Sequence, residues 1–109
     1  MSFISLSTID QLESIKVDSK PSVLFKHSTR CSISSMALSR MERGLGPLSE
    51  KFNVYYLDLI RYRSVSNEIA DIFKIEHASP QVLIIQNGEC IYDASHGGIS
   101  PSEMLNLSI

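Results

Sequence analysis

Apolar and polar positions change rhythm several times along this chain, and each change marks an element. Phe3, Ile4 and Leu6 form a short apolar stretch that predicts a first strand. Ile9, Leu12 and Ile15 then recur at helical spacing behind Thr8-x-x-Gln11, a pairing suited to a capping box. Asp18-Ser19-Lys20-Pro21 ends that helix. Val23-Leu24-Phe25 is too short an apolar run for a typical helix and predicts a buried strand reaching His27. Ile33, Ala37 and Met41 follow at i, i+4 and i+8; Met36 widens the stripe, so Met36 and Met41 both read as core, with Arg40 and Arg43 off it. Gly44 is the predicted stop of this second helix, Gly46-Pro47 a break, and 48–52 a further helical turn.

The second half is equally punctuated. Val54-Tyr55-Tyr56-Leu57-Asp58-Leu59 is rich in strand formers. Ser64 or Ser66 is placed to cap a third helix that buries Val65, Ile69, Ile72 and Phe73. Val82-Leu83-Ile84-Ile85 is apolar at every position, as a strand covered on both faces should be. Asn87-Gly88 predicts a tight hairpin into Cys90-Ile91-Tyr92, and Gly97-Gly98 ends it. Ser100-Pro101-Ser102-Glu103 opens a last helix with Met104, Leu105 and Leu107 inside. The order is β-α-β-α-β-α-β-β-α, which predicts an α/β fold: a mixed central sheet flanked by helices on both faces.

Composition narrows the function classes. At 109 residues, 43% hydrophobic and 20% charged, the chain is expected to form a single domain over 1–109. A net charge of -2 argues against a general binder of nucleic acid or of anionic membranes. No apolar run approaches the ~20 residues that span a bilayer. The N-terminus lacks the basic start and long apolar stretch of a secretion signal, and two cysteines cannot build a disulfide framework, so a reducing cytoplasm is expected. A monomer is expected as well.

Cys31 is where chemistry is expected. It falls between the second strand and the second helix, where unpaired N–H groups and the positive end of the helix dipole collect. Arg30 adds a positive charge, so the thiolate, the nucleophile of disulfide exchange, is favoured. An inert core thiol is the alternative, but the neighbours Thr29, Arg30, Ser32 and Ser34 are polar. His27, His96 and Cys31 lack the tight spacing of a metal site, and no metal is expected. His77 reads as a loop residue. Cys90 follows the hairpin turn at the end of the sheet remote from Cys31, roughly 20 Å away at strand rise. A disulfide between them is therefore not expected.

This order, with a cysteine where a strand meets a helix and a proline before the next-to-last strand, resembles the thioredoxin superfamily. A closer resemblance lies in Lys26-His27-Ser28 ahead of Cys31, Ser32-Ile33-Ser34 after it, Ser79-Pro80-Gln81, Asn87-Gly88-Glu89 and His96-Gly97. Together these are similar to the monothiol bacilliredoxin C family, also called YtxJ. Its members are cytoplasmic thioredoxin-like proteins associated with bacillithiol, a low-molecular-weight thiol carrying a malate group. The family's usual run is Thr-Cys-Pro-Ile-Ser; here Arg30 replaces the threonine and Ser32 the proline, which loosens the first helical turn and adds an N–H near the sulfur.

The resemblance implies a cis Ser79-Pro80 bond packed near Cys31, and a role for each matching residue. Cys31 is the catalytic thiol. Ser34, where dithiol relatives carry a resolving cysteine, either bonds the thiolate or merely caps the helix or faces solvent. Arg30 either neutralises a malate carboxylate or is solvated. Ser32, Ser79 and Pro80 line the substrate, and the bare backbone of Gly97 and Gly98 either contacts the thiol ligand or only turns the chain. The expected function is monothiol exchange that removes bacillithiol, as co-substrate, from bacillithiolated proteins. A thioredoxin-like binding module without turnover, or a glutaredoxin-like carrier of an iron–sulfur cluster, are the alternatives; Ser32-Ile33 departs from the Cys-Gly-Phe-Ser run of the latter.

Overall fold

The computed structural model describes residues 3–28 and 32–108, apart from the side chain of Ile33. Its elements are β1 (Ile4–Ser5), α1 (Ile9–Val17), β2 (Ser22–His27), α2 (Ser32–Lys51), β3 (Asn53–Asp58), α3 (Arg63–Phe73), β4 (Gln81–Gln86), β5 (Glu89–Ser95), a 3-10 turn (His96–Gly98) and α4 (Pro101–Leu105). One five-stranded sheet runs in the order β1-β3-β2-β4-β5. β1 and β2 flank β3 in parallel, while β2–β4 and β4–β5 are antiparallel.

Alternation of side chains across the sheet sends each strand's residues to two cores. On one face Val23, Phe25, Val54, Val82 and Ile84 meet Ala37, Met41, Leu45 and Leu48 of α2 and Met104 of α4. On the other, Leu24, Leu57, Leu83 and Ile85 meet Leu12 and Ile15 of α1 and Val65, Ile69 and Phe73 of α3. β2 is buried throughout because it is central and covered on both faces. The β5 edge instead alternates exposed and half-buried residues. Asn87 and Gly88 both take positive φ (54° and 80°), the geometry of the tight turn their sequence predicts. Thr8 and Gln11 form the full capping box of α1. No helix among the described residues is long and apolar enough to cross a membrane.

Three local expectations are corrected. α2 does not stop at Gly44 but continues for 20 residues through Gly46 and Pro47. A Cβ on Gly44 would lie 2.5 Å from Cβ of Pro101, so this glycine admits α4 rather than ending a helix. Pro47 removes the amide that would bond the Arg43 carbonyl; Arg43 is exposed, so water can serve that group, while Leu45 and Leu48 keep the helix on the core. Met36 is not core: it is 64% exposed, one residue and about 100° around the helix from buried Ala37. Neither Ser64 nor Ser66 caps α3, whose N-cap Tyr62 makes no side-chain cap bond. Asp58 supplies acceptors upstream instead, its Oδ1 receiving the Ile60 and Arg61 amides, and Ser66 is buried within the helix.

Candidate active site

The sheet register gathers most of the sequence-selected residues at one end. Lys26 pairs with Gln81, and Gln81 with Ser95, so the end of β2, the start of β4 and the end of β5 lie side by side. The Ser79-Pro80 bond immediately before β4 is cis, as expected. The Pro80 carbonyl accepts the His96 amide at 3.1 Å, which joins the proline to the turn containing Gly97 and Gly98. Both glycines are exposed, and a Cβ on Gly97 would meet nothing within 4 Å, so that backbone stands open to solvent. Arg40 of α2 holds the same turn, donating from Nη2 to the His96 carbonyl (2.9 Å) and from Nε to that of Ile99 (3.0 Å).

Ser32 is the first residue of α2 and is exposed. Ser34 is fully buried, and its Oγ accepts the Ser28 amide at 3.4 Å, so it ties the first turn of α2 to the end of β2. Cys31 and Arg30 lie outside the described residues; in sequence they fall between Ser28 and Ser32, which this bond brings to the same end of the sheet. The Ser79 hydroxyl is buried with no hydrogen-bond partner among the described residues.

Two polar groups at the end of β2 face opposite cores. His27 turns toward α2 among the rings of Phe25 and Tyr56, its centroid 5.7 and 5.4 Å from theirs. Burial lowers its pKa, partly offset by the negative charges of Asp58 and Glu42. The Tyr56 hydroxyl lies 2.8 Å from Nδ1, while Nε2 is buried without a partner among the described residues. Lys26 turns toward α3, fully buried. Its Nζ donates to the Ser66 carbonyl at 3.4 Å and lies 3.3 Å from Nδ1 of His77. Desolvation brings the Lys26 pKa down to about 8. An ammonium only donates, so His77 Nδ1 is the acceptor and its proton sits on Nε2. Burial, then the charges of Lys26 and Arg63, lower the His77 pKa. Beside Lys26, the Gln81 amide receives the Ala78 N–H at 3.3 Å and donates to the Glu76 carbonyl at 3.0 Å.

Sequence reasoning named Lys26 and Gln81 only within family-like runs, Ser66 as a helix cap and His77 as a loop residue, and gave none of them a role at the site. One signal was present: a lysine stands next to last in a strand read as buried, and a glutamine immediately precedes another. Cys90 is at the other end of the sheet. It pairs with Ile85, which pairs with Ser22, the first residue of β2, whereas His27 is the last. Its thiol donates to the Tyr92 carbonyl at 3.3 Å, and burial pushes its pKa up, the opposite of an activated thiol.

The monothiol bacilliredoxin BrxC family matches residues 4–104. The chain belongs to that family. Its bacilliredoxin fold is shared with a candidate oxidoreductase with a thioredoxin fold, 34% identical over 93% of this chain and 88% of that one, with a TM-score of 0.81. It is also similar in fold to the thioredoxin of Malassezia sympodialis (22% identity, 94% and 84% coverage, TM-score 0.75). Mitochondrial thioredoxin 3 of Saccharomyces cerevisiae is a further match (13% identity, 94% and 89% coverage, TM-score 0.73). Bacilliredoxin membership and the thioredoxin fold support a thiol oxidoreductase role.

Proposed function

We propose that this chain is a monothiol exchanger that removes bacillithiol, or a similar low-molecular-weight thiol, from mixed disulfides on cytoplasmic proteins. The Cys31 thiolate attacks the bacillithiol sulfur of the client disulfide. The old S–S bond breaks as a new one forms, and the client sulfur leaves as a thiolate that takes a proton from water. Cys31 then carries bacillithiol until a second small thiol attacks that sulfur, forms a disulfide with it and returns the Cys31 thiolate. No metal takes part, and the protein acts as a monomer.

The observation that carries this reading is the family match, which runs across Cys31, while Cys90 sits at the end of the sheet away from His27. In this reading Ser79 and Pro80, which immediately precede β4 at the end of the sheet near His27, face the substrate. Arg30, Ser32, Gly97 and Gly98 supply the remaining polar and backbone contacts to the thiol ligand.

Intact-mass measurement tests it. Incubated with a bacillithiolated protein, wild type should free the client and gain one bacillithiol on Cys31. Cys31→Ser should do neither, and Cys90→Ala should behave as wild type, because that half-buried thiol is not activated. A Cys31→Ser protein that still frees the client, or an adduct on Cys90, overturns the assignment.

A further inference from the structure

Lys26 is the only Lys, Arg, Asp or Glu that is buried among the described residues. Removing an ammonium from water is unfavourable, and no carboxylate among the described residues pairs with this one to offset it. A side chain needed only to fill this space would be apolar. The contacts that Lys26 does make join three pieces of chain: β2, which carries it; α3, through the Ser66 carbonyl; and the loop at 74–80, through His77. The Ser66 hydroxyl reaches the same imidazole nitrogen at 3.5 Å. Gln81, the β4 residue directly opposite Lys26, grips the loop at Glu76 and Ala78. Two neighbouring side chains of the sheet thus hold residues 76–78, and the next two residues are the cis Ser79-Pro80 pair.

We propose that Lys26 is a positioning residue for thiol exchange: acting through His77, it anchors the 74–80 loop so that Ser79 and Pro80 meet the disulfide substrate in one arrangement. The proposal deepens the reading given under Proposed function and rests on it. It requires Lys26 to affect substrate engagement rather than the reactivity of the sulfur. His77 is an exposed loop residue whose inward nitrogen alone makes this contact, so it can be changed with little disturbance of the core.

The test is steady-state exchange on a bacillithiolated peptide by wild type, Lys26→Met, His77→Ala, His77→Gln and the Lys26→Met/His77→Ala double variant. Lys26→Met and His77→Ala should each raise KM about tenfold at nearly constant kcat, the scale of a lost hydrogen bond to a charged group. The double variant should be no worse than Lys26→Met, and His77→Gln, whose amide oxygen can accept from Nζ, should recover much of the loss. The pH profile of Cys31 alkylation should be the same in all five proteins.

Additive effects, an unchanged KM, or a Cys31 profile that moves with Lys26→Met would overturn the proposal, the last by showing that Lys26 acts on the sulfur. If Lys26→Met does not fold, His77→Ala and His77→Gln decide by the same criteria. If wild type does not exchange, the functional reading fails separately. Hydrogen exchange of the 76–78 amides then decides the anchor: faster in His77→Ala upholds it, and unchanged overturns it.

Discussion

His27 shows how one residue can make a fold sensitive to pH. Its imidazole is 3% exposed, is packed between aromatic rings, and has a pKa below the ordinary 6.5 because burial disfavours the charged form. A lowered folded-state value means that the unfolded chain binds the proton more readily. The contribution is therefore complete above the unfolded pKa and is lost as pH falls through the folded one. Urea denaturation should show stability declining from about pH 6.5 toward pH 5. A His27→Phe/Tyr56→Phe variant, which removes the imidazole together with the hydroxyl beside it, should have a shallower slope over that window. An equal slope would place the titration elsewhere.

At the scale of elements, α2 is informative because two of its glycines look alike in sequence and differ in space. Gly44 faces α4, and an added Cβ would come within 2.5 Å of Cβ and 2.8 Å of Cγ of Pro101. Gly46 has nothing within 4 Å. Alanine favours a helix over glycine by about 1 kcal/mol, so Gly46→Ala should stabilise by up to that amount. Gly44→Ala gains the same propensity but must displace α4, for a net loss of about 1–3 kcal/mol. Chemical denaturation of the two variants reads the difference directly. Equal effects would mean that α4 is not seated against Gly44.

For the molecule as a whole, the layout of the sheet decides which thiol chemistry is open. Residues 29–31 fall between a strand and a helix whose adjoining ends are tied by the Ser28–Ser34 bond, whereas Cys90 lies level with Ser22 at the sheet's opposite end. Five strand steps separate Ser22 from His27, about 16 Å, beyond the reach of a disulfide. Ser34 stands three residues after Cys31 in sequence, across the start of α2. Ser34→Cys should therefore supply the missing second thiol. We expect this variant to form an internal disulfide with Cys31 and to release bound bacillithiol unaided, whereas wild type stops at the mixed disulfide until thiol is added. Intact mass after oxidised bacillithiol distinguishes them, and a variant that still accumulates the adduct would refute the account.

Local pattern alone determined the succession of strands and helices, the tight turn at Asn87-Gly88 and the capping box at Thr8, because each depends on residues a few positions apart. Resemblance in short runs carried the cis Ser79-Pro80 bond and the family. Tertiary structure alone decided features that join distant parts of the chain. Gly44 reads as a stop until Pro101 is packed against it. Met36 reads as core until the buried stripe of α2 passes through Ala37 and Met41 instead. Lys26 and His77, 51 residues apart, acquire a shared role only when the sheet brings β2 beneath the loop before Pro80. Local chemistry selects conformation over a few bonds; burial and charge take their meaning from neighbours that only the closed fold supplies.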